Sequence, residues 1–336
     1  MKTVILEEPG RFRLTETPAP TAPAPGEALV RVRHVGVCGT DLHCFRGTQP
    51  VIIYPRVIGH ELCVEVVETG PGDTDLRPGD LCAVEPYLNC GTCLACRRGR
   101  PNCCASLQVL GLHVDGGMRE AFTVPAHKLH RSTLPPEYLA LVEMLSIGAH
   151  AVRRAAPDVG EHVLIVGAGP IGLGVAHFAR IAGARVSVAE VSPHRLAFCA
   201  QHLQPDHLLD ARSSMTEQIA ALDDPPTIVF EATGNIRSMT RAFDYLPPTG
   251  TLVFVGLVQD AVTFSDPDFH RRELSVLSSR NATPADFAWV LRSLEEGRID
   301  LSPWITHRLA LTDVPEAFSR LLDPEAGVVK AVVDVT

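Results

Sequence analysis

The sequence predicts an α/β protein in two parts, a β-rich unit and a doubly wound parallel sheet, with the chain end returning to the first unit. Three observations carry that reading. Over residues 1–145, short alternating or apolar runs such as "GEALVRVRHVGV", "CVEVVETG", "DLCAVEPY" and "REAFTVPA" are separated by Pro/Gly turns. That is the pattern of strands joined by tight connections. Over residues 146–282, runs apolar throughout ("HVLIVG", "RVSVAE", "TIVFEA", "GTLVFVG", "ELSVLSS") recur every twenty to thirty residues, with helical patterns such as "PIGLGVAHFARIAG" between several of them. Strands apolar on both faces and alternating with helices belong to a parallel sheet covered on both sides. Residues 283–336 hold one helical pattern, "TPADFAWVLRSLEEG", and one strand, "KAVVDV"; these need a partner and are placed back on the first unit.

Composition bounds the rest. A chain of 336 residues exceeds one ordinary core, which favours two domains. The net charge of −9 and the lack of a Lys/Arg run argue against a nucleic-acid partner. The start "MKTVILEEPGRFRL" reads as a strand and lacks the apolar core of a signal peptide. The longest apolar stretch, 163–183, carries glycines, His177 and Arg180, so no membrane span is expected. A cytoplasmic compartment follows as the expectation, and there clustered cysteines bind metal more often than they form disulfides. The Pro-rich "TPAPTAPAPGE" reads as a stiff surface loop between strands.

In "VLIVGAGPIG", Gly167, Gly169 and Gly172 follow G-x-G-x-x-G spacing after a strand and at the opening of a helix, with Pro170 and Ile171 inside the same loop. The first glycine permits the turn, the second admits a pyrophosphate, and the third lets helix and strand pack. The helix N-terminus supplies N–H donors for the phosphates. The next strand ends in Glu190, whose carboxylate suits ribose hydroxyls and opposes a 2′-phosphate, favouring NAD over NADP. Arg195, five residues on, is a phosphate partner that would pull the other way. "FEATGN" with Thr233 and Gly234, and "FVGL" with Val255 and Gly256, end two further strands where the dinucleotide would lie; Arg280 in "SSRNAT" is placed near cofactor or substrate.

Two metal constellations precede that sheet. "GVCGTDLHC" and "VIGHELCVE" bring Cys38, His60 and Glu61, and "LVEMLSIGAH" adds Glu143. A soft thiolate, an imidazole and a hard carboxylate suit Zn²⁺ with one position left open for catalysis. In "NCGTCLACRRGRPNCC", residues 89–104, Cys90, Cys93, Cys96 and Cys104 follow C-x₂-C-x₂-C-x₇-C, leaving Cys103 as the spare. Four thiolates close a tetrahedral zinc site and make it structural; iron–sulfur ligation uses the same donors.

"GVCGTDLH", "GHE", the cysteine run and "GAGPIG" in that order resemble the zinc-dependent medium-chain dehydrogenase/reductase family, closest to its sorbitol, threonine and sugar-acid dehydrogenase branch. The resemblance spans nearly the whole chain. It implies a GroES-like catalytic domain followed by a Rossmann coenzyme domain, two zinc ions per subunit, NAD, and a homodimer or homotetramer. Cys38 and His60 would be catalytic zinc ligands, with Glu61 or Glu143 completing the shell. Thr40 would relay the proton of the substrate alcohol through its hydroxyl and His43 would pass it to solvent, with the cofactor ribose between them, while Asp41 would accept from the His60 ring and orient it. The family usually continues "GHE" as G-H-E-x-x-G-x-V, and this chain has Val64 in place of that glycine.

The implied substrate is a small polyol, sugar or sugar acid with a secondary alcohol; His113 and Arg119 are candidate contacts, Arg119 for a carboxylate. Aldehyde or ketone reduction by the same machinery is the alternative. A non-catalytic, zinc-stabilised nucleotide-binding protein is a third reading, which a broken catalytic constellation would have favoured.

Overall fold

A computed structural model describes residues 1–335. Two compact units result, one of Met1–Glu143 with the chain from Thr283 onward, the other Met144–Ala282.

The first unit opens with β1 (Lys2–Glu8) and β2 (Arg11–Glu16), paired antiparallel. Where the sequence suggested one strand, Pro9 and a left-handed Gly10 turn the chain into a hairpin. No helix or strand covers residues 17–26, the Pro-rich connection. Next come β3 (Glu27–Val37), α1 (Gly39–Arg46), β4 (Glu61–Thr69), β5 (Leu81–Val84) and β6 (Tyr87–Leu88). These are followed by α2 (Leu94–Arg97), β7 (Gln108–Val109), β8 (Ala121–Pro125), β9 (Leu129–Arg131), α3 (Pro136–Leu139) and the start of α4 (Val142–Ala155), whose residues from Met144 onward belong to the second unit. Val64, at the position of the family glycine, is fully buried in β4 opposite Cys82 of β5.

The second unit holds β10 (His162–Val166), α5 (Pro170–Ile181), β11 (Arg185–Glu190), α6 (Pro193–Phe198), β12 (His207–Asp210) and α7 (Met215–Ala220). It continues with β13 (Ile228–Glu231), α8 (Ile236–Arg241), β14 (Thr251–Phe254), α9 (Asp266–Arg271) and β15 (Ser275–Ser278). All six strands are parallel in the order β12-β11-β10-β13-β14-β15. The order reverses direction between β10 and β13, and dinucleotides bind outside the carboxyl ends of strands at such a switch point.

The chain then adds α10 (Pro284–Glu295), β16 (Ile305–Ala310), α11 (Val314–Ala317) and β17 (Lys330–Asp334) to the first unit. Its seven-stranded sheet runs β16-β17-β3-β4-β5-β9, with β8 also on β3. β17 lies antiparallel to β3, with Ala331 opposite Val37, and this pairing sets Lys330 beside the segment that carries Cys38. Under the sheet lies a core that includes Val30, Val32, Val64, Val66, Phe122 and Val333. The second unit has its own core around Leu164, Val229, Phe243 and Leu252.

Candidate active site and metal centres

Cys38 follows β3 and stands at the N-cap of α1, a short helix that hydrophobic periodicity does not reveal. A capping box forms it: Asp41 Oδ2 accepts from the Cys38 N–H at 2.9 Å. The other Asp41 oxygen accepts from the Gly59 N–H at 3.2 Å, one residue before His60. One buried carboxylate thus pins both turns that carry the soft donors. The expected bond from the His60 ring is not made, since Nδ1 stands 3.8 Å from Asp41 Oδ1, too far for one. Asp41 positions the backbone of the two donors, and its oxygens are already engaged there.

The donor atoms of Cys38, His60 and Glu61 lie within 4.8 Å of one another. Glu61 begins β4, and Gly36 on the facing strand makes room for it: a Cβ there would stand 2.2 Å from Glu61 Oε2. Glu143, in the first turn of α4, lies outside that triad, and the buried Tyr87 hydroxyl donates to its Oε1. Lys330, at the start of β17, forms an ion pair with Glu61 Oε2; both are fully buried. Tyr87 and Lys330 carried no local sequence signal.

The electrostatics suit a bound cation. His60 Nδ1 and Glu61 Oε1 are buried without a hydrogen-bond partner among the described residues, while Glu61 Oε2 has the Lys330 ammonium; an unpaired buried polar atom is costly unless something else satisfies it. Burial opposes a charge on His60, yet the Cys38 thiolate and Asp41 beside it hold its pKa well above the usual value. Burial raises Asp41, and it raises Glu143 against the opposing pull of His60. Four acidic groups, Cys38, Asp41, Glu61 and Glu143, face the single buried ammonium of Lys330. A thiolate–imidazole–carboxylate set with excess negative charge is what a catalytic zinc requires.

Thr40 is half-buried on the first turn of α1. His43, on the same helix, is exposed with Nδ1 2.9 Å from Thr48 Oγ1. His113 is exposed, and its Nδ1 accepts from the Val109 N–H at 3.1 Å. Arg119 donates to the Asp115 carbonyl at 3.2 Å and lies over the Phe122 ring at 5.1 Å. Its side chain is thus engaged within its own unit.

Cys90, Cys93, Cys96 and Cys104 also bring their sulfurs within 4.8 Å of one another, and Cys103 lies outside the group. The Cys93–Cys96 and Cys90–Cys104 sulfurs are 3.5 Å apart, close to the edge of about 3.8 Å expected for a tetrahedron of Zn–S bonds of about 2.3 Å. Backbone N–H groups of Cys90 and Cys93 point at sulfurs of the set, each at 3.3 Å. All ten cysteines are unbridged.

At the switch point of the second unit, Gly167 leaves β10 with φ +97° and its Cα faces Thr233 beyond β13. Gly172 touches the same turn: a Cβ there would sit 1.8 Å from the Gly167 carbonyl. Gly169 is the N-cap of α5 and Pro170 its first residue, with Ile171 next. Gly234 and Gly256 are in contact, and Val255 follows β14. Glu190 is buried at the end of β11; its Oε2 accepts from the Ala168 N–H at 2.7 Å, and Arg195 Nη1 is 3.9 Å from that oxygen. Arg280 is exposed beyond β15.

Two family models match the chain, an alcohol dehydrogenase GroES-like domain over residues 24–135 and a zinc-binding dehydrogenase over 170–296. L-galactonate-5-dehydrogenase of Escherichia coli is 41% identical, over 99% of this chain and 98% of its own. Among solved structures, the alcohol dehydrogenase rspB of E. coli, complexed with NADH, aligns with a TM-score of 0.93 at 30% identity over 99% of both chains. A zinc-binding dehydrogenase of Sinorhizobium meliloti bound to NADP aligns at 0.91 and 30%, over 99% of this chain and 98% of its own. The chain belongs to the zinc-type alcohol dehydrogenase family. It is an enzyme, an oxidoreductase whose cofactors are zinc and a nicotinamide dinucleotide. Among the described residues, no helix is long and apolar enough to cross a membrane.

Proposed function

We propose that this protein oxidises a secondary hydroxyl of a sugar acid or related polyol with NAD. The observation that carries the reaction is the Cys38–His60–Glu61 set, three protein donors of the kind that leaves a zinc position open. The substrate class rests on the similarity to L-galactonate-5-dehydrogenase over almost the whole of both chains.

Cys38 and His60 hold the catalytic zinc, with Glu61 or Glu143 completing its shell. Zinc there supplies the Lewis acidity that makes an alcohol proton easier to remove. Thr40, two residues past Cys38, relays that proton through its hydroxyl, accepting it as it gives up its own toward the exposed His43, which passes a proton to solvent. Asp41 keeps the Cys38 and His60 turns in place through its two backbone hydrogen bonds. The thiolates of residues 89–104 hold a second, structural zinc. The first unit binds the substrate. His113 is one candidate contact, its Nε2 left as the donor, and Arg119, whose buried Nε has no hydrogen-bond partner among the described residues, is the candidate for a carboxylate.

In the second unit, the loop Gly167–Gly172 cradles the pyrophosphate at the N-terminus of α5, and Thr233, Gly234, Val255 and Gly256 border the dinucleotide. Arg280 is placed near the same ligand. Glu190 accepts from the ribose hydroxyls, for a carboxylate has about four lone-pair sites and only part of that capacity is used by backbone N–H groups. Glu190→Ala is expected to lower kcat/KM for NAD by about 10–100-fold, the loss of charge-assisted hydrogen bonds, and to raise NADP use relative to NAD because Arg195 remains. An unchanged NADP/NAD ratio would remove Glu190 from this role.

We further propose a cytoplasmic homo-oligomer. Ten unbridged thiols suit a reducing compartment. β15 is an edge strand with Val276 exposed, and such an edge is a template for pairing with a second copy. Val276→Lys should then yield monomers by light scattering, and an unaltered mass would move the interface elsewhere.

The test of the reaction is NADH formation on a panel of aldonates, polyols and aldoses, before and after a chelator. Turnover on an aldonate or polyol that is lost with the metal supports the reading. No turnover on any of them, with zinc bound, sinks it.

A further inference from the structure

One polar chain fastens the cysteine lobe to the rest of its unit, and none of the roles above uses it. Asn89 directs its Nδ2 to Cys96 Sγ at 3.7 Å, while its Oδ1 accepts from Lys128 Nζ at 2.9 Å. Lys128, in the turn between β8 and β9, is only 3% exposed, and its ammonium also donates to Glu85 Oε1. Glu85, 1% exposed, stands with its other oxygen 3.4 Å from His130 Nε2. The His130 ring stacks on Phe287 of α10 at 4.8 Å. A line of contacts, buried at Glu85, Lys128 and Phe287 and partly buried at Cys96, Asn89 and His130, therefore runs from a sulfur of the lobe to the helix returned from the chain end.

The chemistry of Lys128 fixes the direction of the line. An ammonium has three donors and no acceptor, so the amide oxygen of Asn89 must face it and the NH₂ must face the sulfur. Without that cation the amide could turn its carbonyl toward a thiolate. Four thiolates around a divalent ion carry a net charge of about −2, so the sulfurs need N–H donors, and carbonyl oxygens beside them are unfavourable. Arg97, Arg98 and Arg100 of the same run are exposed, where water and salt screen them.

We propose that Lys128 is a positioning residue for the four-thiolate site: it holds Asn89 as a donor to Cys96 and so sets how firmly the lobe keeps its metal. The proposal rests on reading Cys90, Cys93, Cys96 and Cys104 as a zinc site.

The test follows zinc release from the zinc-loaded full-length protein into a chromophoric chelator. Cys93→Ser identifies the lobe's equivalent by deleting it. Asn89→Asp keeps size and a partner for Lys128 but sets a carboxylate against the sulfur. It is expected to speed release from the lobe by about 10–100-fold, the usual effect of losing an outer partner of a metal ligand. Release from the Cys38–His60 site should be unchanged. Lys128→Met should act in the same direction, and Lys128→Arg should restore most of the retention. Wild-type release from Asn89→Asp, with a native circular dichroism spectrum, overturns the proposal and leaves the four-thiolate reading standing. A wild-type protein from which Cys93→Ser removes no equivalent overturns both.

Discussion

Replacing Cys38 by Ser is expected to lower kcat/KM by roughly 10³-fold or more and to remove one zinc equivalent per chain, while the equivalent held by the cysteine lobe stays. The size follows from the several kcal/mol that a Lewis-acid metal gives a developing negative oxygen, at 1.36 kcal/mol per factor of ten. The substitution keeps the N-cap of α1, because Ser is a good capping residue and Asp41 still accepts from the backbone N–H of residue 38. Folding should therefore survive, and NADH binding, followed by its fluorescence, should too, because the glycine loop lies in the other unit. A variant that kept more than about a tenth of the activity would exclude a metal route, since a tenth corresponds to only 1.36 kcal/mol. Loss of both zinc equivalents would show instead that the two sites depend on each other.

The parts of this molecule that sequence exposes are those whose chemistry is local. The glycine loop is legible because its three glycines, two of them at close approaches such as Gly172 on the Gly167 carbonyl, fall within six residues. The cysteine lobe is legible for the same reason, although Cys103 and Cys104 are adjacent and it is the position of the sulfurs that separates them. The parallel sheet follows from strands buried on both faces, such as the all-buried "HVLIV" of β10. What sequence conceals is made by long-range pairing. Helix α1 is short and held by a capping box, so it has no apolar stripe to announce it. Tyr87 and Glu143 are brought together from 56 residues apart. Asp41 differs from expectation in one respect: its position suggests an acceptor for the His60 ring, whereas its oxygens reach the backbone of Cys38 and Gly59. Lys330 is the extreme case, since "KAVVDV" reads as a terminal strand and nothing local marks its lysine.

Lys330→Met is expected to destabilise the metal-depleted protein by about 3–5 kcal/mol, the cost of stranding a buried charge by removing its partner. Lys330 is 2% exposed and Glu61 is 0% exposed, so water cannot replace the lost ammonium. Asp41 and Glu143 are repelled by the Glu61 carboxylate, and the His60 imidazole is the one other group of the cluster that can carry positive charge. Zinc bound between Cys38 and His60 would supply the missing positive charge, so the loss should be smaller when the site is loaded. Denaturant midpoints with and without a chelator measure that difference. Glu61→Gln in the same chain removes the stranded charge, and the double variant should recover much of the stability lost by Lys330→Met alone. The ion pair lies between the first residues of β4 and β17, joining the strand that carries the metal donors to the strand that closes the sheet. If Lys330→Met instead cost under about 1 kcal/mol, the range of an exposed pair, or cost the same with and without zinc, Lys330 would be a surface-like contact and Glu61 would not be sharing its charge with the metal.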